Sequence, residues 1–258
     1  MLAAQRRQRI LEEVRRVGGV RVSELTALLG VSDMTVRRDL ERLGQEGLIQ
    51  KVHGGATVPR FSSEEPGFEA KSLRELSEKH AIAELAAGTV QAGQSVALGA
   101  GTTTWLLAQH LVAAPRMTVT TNSVRIADVL DAAHDVVLTG GVRTPSDALV
   151  GPVADLVLRS LHFDVAFLGC HGMSVDGLST PNMGEAATNR AFVRAAARVV
   201  LVADSTKWGT VGLMSFADLS EVDVLVTDAG LPADAQRLLR HRLEAVHVVT
   251  PAGQQVAT

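Results

Sequence analysis

The chain has a single cysteine, Cys170, among its 258 residues. That excludes an intrachain disulfide framework and any cysteine-rich zinc site, so the fold must rest on its core. Metal-binding spacing is missing too. The eight histidines are scattered, and none pairs with another histidine or a cysteine at helical or zinc-ligand spacing, apart from the adjacent Cys170 and His171. No metal and no cofactor are therefore expected. No apolar run approaches the roughly 18 residues that cross a bilayer, and the opening MLAAQRRQRILEEVRR is too charged for a signal-peptide core. A soluble, cytoplasmic protein with no membrane partner is the expectation.

Apolar residues make up 46% of the chain and charged residues 21%, enough for a packed core and too apolar for wholesale disorder. The length favours two domains or one large α/β unit. The net charge of −3 is unevenly spread. Residues 1–57 carry 10 Lys and Arg against 7 Asp and Glu, and the remainder carries 15 against 21. A basic front on an acidic body suggests a polyanion-binding end attached to a part with another task.

The front reads as three short helices and a hairpin. Ile10, Leu11, Val14 and Val17 draw one apolar stripe that Gly18 and Gly19 stop, with the arginines on the other faces. Ser23 is placed to cap a second helix carrying Leu25, Leu28 and Leu29, which Gly30 ends. Ser32 is placed to cap a third, whose Val36, Leu40 and Leu43 bury one side and leave Thr35, Arg37, Arg38 and Arg42 to solvent or DNA. Gly47 closes that helix. Leu48 to Val52 then runs to the turn glycines Gly54 and Gly55, and Ala56 to Val58 returns. This order is a winged helix-turn-helix over residues 1–58. In such a unit, a helix N-terminus enters the major groove, where Arg37 or Arg38 can reach phosphate or the O6/N7 edge of guanine. Ser32, Thr35, Arg42, Lys51, His53 and Gly54 complete the candidate surface for double-stranded operator DNA.

Residues 59–72 lose periodicity and read as a linker rich in Pro, Ser, Glu and Gly. From residue 73 to 258, short Val/Ile/Leu runs alternate with helical patterns: Val96–Leu98, Thr118–Thr120, Val136–Leu138, Val165–Leu168, Val199–Val202, Val224–Val226 and Val246–Val249. Unbroken apolar strands between helices predict a mostly parallel sheet covered on both faces. Ligands of such sheets gather beyond the carboxyl ends of the strands, and the residues there are small or hydroxylated. They are Gly99 to Thr104, Asn122 and Ser123, Gly140 and Gly141, His171, and Asp204 to Lys207. Glycines admit close backbone N–H groups and hydroxyls add donors. Gly101, Thr102, Thr103 and Thr104, opening a helix, suit a phosphate best. Asn122, Gly141, Asp204 and Lys207 are assigned the sugar end. Glu185 is either a carboxylate stabilised by its helix dipole or an acceptor for a ligand hydroxyl. Cys170 reads as a small buried apolar residue.

Assembled, these residues resemble the DeoR family of bacterial transcriptional regulators. The resemblance lies in Arg9-Ile10-Leu11, Val31 to Leu40 and Val52 to Ala56 at the front. Behind, it lies in Gly101 to Thr104, Thr121-Asn122-Ser123, Leu138 to Gly141, Leu149 to Pro152 and Ala203 to Lys207. It departs from the family pattern at Gly169-Cys170-His171-Gly172-Met173, which carries Cys and His where many members have small residues and an acidic or amide side chain. The resemblance implies an α/β sensor domain related to sugar-phosphate isomerases. It also implies a homo-oligomer, dimer or tetramer, whose DNA affinity responds to a phosphorylated sugar or related metabolite. The resemblance thus implies a regulator, a repressor or less often an activator, and not an enzyme. The alternative is a sugar-phosphate isomerase-like enzyme carrying a DNA-binding segment, against which stands the lack of a carboxylate beside His171 to shuttle protons. A third reading makes the α/β part an oligomerisation platform that binds no metabolite.

Overall fold

The structure is a computed structural model and describes residues 2–17, 19–45, 48–52, 54–57 and 67–251. The expectations for Gly18, Gly47, His53, Val58 and the linker residues 59–66 lie outside the described residues.

The front unit runs α1 (Ala3–Val17), β1 (Gly19–Arg21), α2 (Val22–Leu29), α3 (Asp33–Gln45), β2 (Gln50–Val52) and β3 (Gly55–Thr57). Ile10, Leu11, Val14, Leu25, Val36, Leu40 and Leu43 are buried together, as the periodicity requires. Val17 and Leu28, which the sequence pattern placed on the apolar faces, are exposed. The first turn of α2 also departs from expectation. Arg21 rather than Ser23 occupies the cap position, with the Arg21 N–H donating to Glu24 Oε2 at 2.8 Å. Gly30 ends α2 in the left-handed region at φ 63°, as predicted for a glycine there. The hairpin β2–β3 gains a third strand that the sequence does not announce. β1 pairs antiparallel with β3, giving the order β1-β3-β2. Gly55 is required at that seam, because a Cβ there would stand 2.1 Å from the Val20 carbonyl oxygen.

The larger unit starts earlier than residue 73. Phe68–Ser72 forms α4, because Phe68 is buried against Trp105, ring centroids 5.8 Å apart and edge-on. There follow α5 (Leu76–Ala87), β4 (Ser95–Leu98), α6 (Thr102–Leu111), β5 (Thr118–Thr121), α7 (Val124–Leu130), β6 (Asp135–Leu138), β7 (Val142–Arg143), β8 (Leu149–Val150) and α8 (Pro152–Arg159). The chain then continues through β9 (Val165–Leu168), β10 (Gly172–Ser174), β11 (Gly177–Thr180), α9 (Met183–Ala195), β12 (Val199–Val202), β13 (Met214–Ala217), β14 (Val224–Asp228), α10 (Ala233–Arg242) and β15 (Ala245–Val249).

Seven of these strands form one parallel sheet in the order β15-β14-β12-β9-β4-β5-β6. Two apolar layers cover its faces, one around Leu168, Phe192, Leu201 and Phe216, the other around Ile82, Leu98, Leu107 and Phe167. Each predicted strand is present within a residue or two. The small antiparallel pieces β10-β11-β13 and β7-β8 are additions. Chain direction along the sheet reverses between β4 and β9: β5 and β6 extend to one side, β12, β14 and β15 to the other. Loops leaving the carboxyl ends of β4 and β9 therefore diverge and open a crevice, where ligands of open α/β sheets bind.

Candidate DNA interface and effector cleft

On the front unit, Ser32 caps α3. Its Oγ accepts the Thr35 N–H at 3.3 Å and lies 2.9 Å from Thr35 Oγ1, so both hydroxyls are engaged in the cap. Arg37, Arg38 and Arg42 are exposed along α3. Arg37 is tied to Asp33 one turn earlier, its Nε 2.5 Å from Oδ1, which raises the guanidinium pKa through that hydrogen bond. Lys51 on β2 lies 3.5 Å from Glu41 on α3. Gly54 sits in the turn at φ 78°, and its carbonyl accepts the Val22 N–H at 2.8 Å.

Two residues that sequence reasoning did not select matter here. Met34 is 73% exposed on the first turn of α3, beside the arginines. Asp39 is buried and chelates the Arg6 guanidinium, Nε to Oδ2 at 2.5 Å and Nη2 to Oδ1 at 3.3 Å, with Arg7 3.9 Å away. The pair clamps α3 against α1, so Arg6 is not on a solvated face as the stripe implied. Helix periodicity could have flagged Asp39, because it falls beside Leu40 on the buried side.

At the β4/β9 divergence the structure contains an open cleft of about 80 Å³. Gly101, Thr102, Thr103, Thr104, His171, Glu185 and Lys207 line it. The N–H groups of the first turn of α6 have no carbonyl one turn back to bond, and they point the positive end of the helix dipole at the cleft. Thr104 Oγ1 is occupied, donating to the Gly99 carbonyl at 2.6 Å, so it shapes the loop. Glu185 is the acceptor of three hydroxyls: Thr144 Oγ1 at 2.8 Å, Thr180 Oγ1 at 3.2 Å, and Ser146 Oγ. The fold thus brings a carboxylate into the cleft that holds His171, which sequence distance concealed.

Gly99, Asn122, Ser123, Gly140, Gly141 and Asp204 do not line the cleft. Asn122 Oδ1 accepts the Ala100 N–H at 2.7 Å, and its Nδ2 donates to the Leu149 carbonyl at 3.0 Å, so it braces the loop between β4 and α6 from behind. Ser123 Oγ caps α7 by accepting the Ile126 N–H. Gly99 lies against β9, where a Cβ would stand 2.7 Å from Leu168 Cδ2. Gly140 and Gly141 turn at φ 71° and 120°, and a Cβ on Gly141 would meet the Val150 carbonyl oxygen at 2.5 Å. Asp204 is buried, accepts from Thr206, and holds Oδ2 3.8 Å from Lys207 Nζ.

The sequence reading missed Phe68, Lys71, Lys79 and Asn189, all of which face the cleft. Lys79 is 2% exposed, and burial lowers its pKa to about 8 against the partial support of Asp204. Cys170 lines the cleft as well and is half-buried rather than fully buried as the sequence suggested, and burial pushes its thiol up to about 12. Among the described residues no group of His, Cys, Asp or Glu is placed to hold a metal ion, and no helix is long and apolar enough to cross a membrane.

A winged helix-turn-helix joined to a parallel α/β unit with a cationic cleft defines a DNA-binding protein with a small-molecule sensor. Residues 6–61 match the DeoR-like helix-turn-helix domain, and residues 74–229 match the DeoR C terminal sensor domain. The chain belongs to the DeoR family of transcriptional regulators. It is 42% identical to the uncharacterized HTH-type transcriptional regulator YgbI of Escherichia coli K12, over 93% of this chain and 95% of that protein. It is 39% identical to the HTH-type transcriptional regulator GlpR of Haloferax volcanii, over 98% and 99%, and 33% identical to the lactose phosphotransferase system repressor of Streptococcus mutans, over 93% and 98%. These relatives are regulators, and the chain is a regulator rather than an enzyme. Among solved structures it is similar to ribose 5-phosphate isomerase A of Methanocaldococcus jannaschii, with TM-score 0.39 and 17% identity over 50% of this chain and 53% of that one.

Proposed function

We propose that the chain represses genes of sugar or related carbon metabolism in the cytoplasm, and that a phosphorylated sugar in the cleft controls its affinity for operator DNA. One observation carries the reading. The first turn of α6 and the three lysines Lys71, Lys79 and Lys207 line one cleft at the sheet's divergence point. Backbone donors, a helix dipole and cations together suit a dianionic phosphate. Other polar side chains that line the cleft, Ser146, Thr180, His171 and Asn189, suit the hydroxyls of a sugar. A relative named as a lactose phosphotransferase system repressor favours the same class. The protein acts as a homo-oligomer, whose two-fold axis matches a palindromic operator.

The test is fluorescence anisotropy on DNA from upstream of the protein's own gene, at fixed salt, with a panel of sugar phosphates and their unphosphorylated parents. Salt is fixed because phosphate contacts make DNA affinity steeply ionic-strength dependent. A phosphorylated compound should shift the DNA affinity while its parent sugar does not, and Lys207→Ala should raise the effective concentration at least about tenfold without altering DNA binding in its absence. An unchanged effector response in Lys207→Ala removes that residue from the site, and indifference to the whole panel removes the phosphosugar reading.

A further inference from the structure

We infer that Lys79 is the positioning residue through which an anion in the cleft acts on the chain leading to the DNA-binding unit. The inference rests on the reading of the cleft as an effector site.

The cleft has one wall unlike the others. α4 is a single short helix, and Phe68 and Lys71 on it face the cleft. Immediately before α4 in the sequence come the residues joining it to the winged helix. α4 is held from outside by Trp105 against the Phe68 ring, by the Arg125 guanidinium 4.3 Å above that ring, and by Arg125 Nη2 2.7 Å from Glu69 Oε1. It is held from inside by Lys79. That ammonium donates to the carbonyl oxygens of Lys71 and Arg74, both at 2.6 Å, and so pins the elbow between α4 and α5. The elbow needs pinning, because Glu75 within it adopts φ 47°, ψ 44°, in the left-handed region that a non-glycine residue occupies at a cost.

The lock is buried, cationic and exposed to the field of the cleft. Burial and the charge of Lys207 both work against the Lys79 ammonium, while Asp204 supports it. Its two elbow carbonyls are neutral acceptors. A bound dianion offers charge-assisted hydrogen bonds roughly twice as strong as neutral ones and draws Nζ off the elbow. Occupancy therefore frees the elbow and lets α4 reseat, at the point where the linker to the DNA-binding unit begins.

Hydrogen–deuterium exchange on the full-length protein tests this, followed on peptides covering residues 67–76. Without ligand, Lys79→Met, which keeps the length and loses the ammonium, should exchange that segment at least about fivefold faster than the parent while α6 and the sheet are unchanged. Lys79→Gln, with a single shorter donor, serves if the methionine variant does not fold. For the parent, glycerol 3-phosphate and inorganic phosphate are the probes, with binding read independently by calorimetry. A bound probe should speed exchange in the same segment, and in Lys79→Met it should produce no further change and no shift in operator affinity. If the variants keep the parent's slow exchange, or a bound probe leaves residues 67–76 of the parent unaltered, the coupling role of Lys79 is overturned while the cleft stands. If neither probe binds the parent yet Lys79→Met frees the elbow, the lock stands and the phosphate reading fails.

Discussion

Replacing Asn122 with alanine removes two hydrogen bonds that hold three chain segments together. Its Oδ1 anchors the Ala100 N–H in the loop between β4 and α6, its Nδ2 anchors the Leu149 carbonyl on β8, and its own carbonyl accepts the Leu149 N–H at 2.7 Å. The side chain is 1% exposed, so water does not replace it on the β8 side. Each buried partner left unsatisfied costs about 1–3 kcal/mol. Ala100 borders the cleft and can be hydrated there, which puts its loss at the low end, and Leu149 is buried, which puts its loss higher. The sum is about 3 kcal/mol, or a fall in Tm of roughly 6–12 °C for a unit of this size. Both tryptophans, Trp105 and Trp208, lie in the sensor unit, so urea unfolding followed by their fluorescence reads that unit alone. Asn122→Asp keeps the acceptor for Ala100 and loses the donor to Leu149, and should fall between parent and alanine variant or below both if the new charge is not solvated. A loss under about 1 kcal/mol in Asn122→Ala, together with weakened effector binding, would refute the bracing argument and return Asn122 to the ligand, where the sequence placed it.

Other outcomes follow from the same geometry. Arg38→Ala should weaken operator binding roughly 10- to 100-fold and relax specificity at one base pair if Arg38 reads guanine, whereas an equal loss on all sequences with a shallower salt slope would make it a phosphate contact. Alkaline stability should be two-signed. Lys79 sits at about 8 against 10.5 when unfolded, so the unfolded chain holds the extra proton between those values and stability rises with pH there. Cys170 sits at about 12 against 9.0, so the folded chain holds the extra proton and stability falls from pH 9 to 12. In Cys170→Ala only the rise remains, about 3 kcal/mol between pH 8 and 10.5, and urea midpoints that stay flat or decline over that range would contradict the buried lysine.

Much of the architecture was legible because strong periodicity survives in one dimension. The Val/Ile/Leu runs located every strand of the parallel sheet, and Val36, Leu40 and Leu43 located the recognition helix. What stayed hidden depends on contacts distant in sequence. β1 is three residues whose only reason to be a strand is β3, and β13 pairs with β11 from the far side of α9 and β12. In the cleft, strand-end positions were readable because topology forces them together, which accounts for Gly101 to Thr104, His171 and Lys207. Phe68, Lys71 and Lys79 precede the first strand, in and just after a stretch read as linker, and reach the cleft only by folding back over α6. Asn122, Ser123 and Gly141 carry the right chemistry on the right edge. Their polar groups or backbone are directed at neighbouring loops, a distinction that residue type cannot make.

The third strand of the wing has a mechanical meaning. With β1 bonded to β3, and α3 clamped to α1 through Arg6 and Asp39, the DNA-reading unit has no internal hinge between its helix and its wing among the described residues. Helix and wing are held as one stiff piece, so their contacts with DNA are made and broken together rather than one after the other.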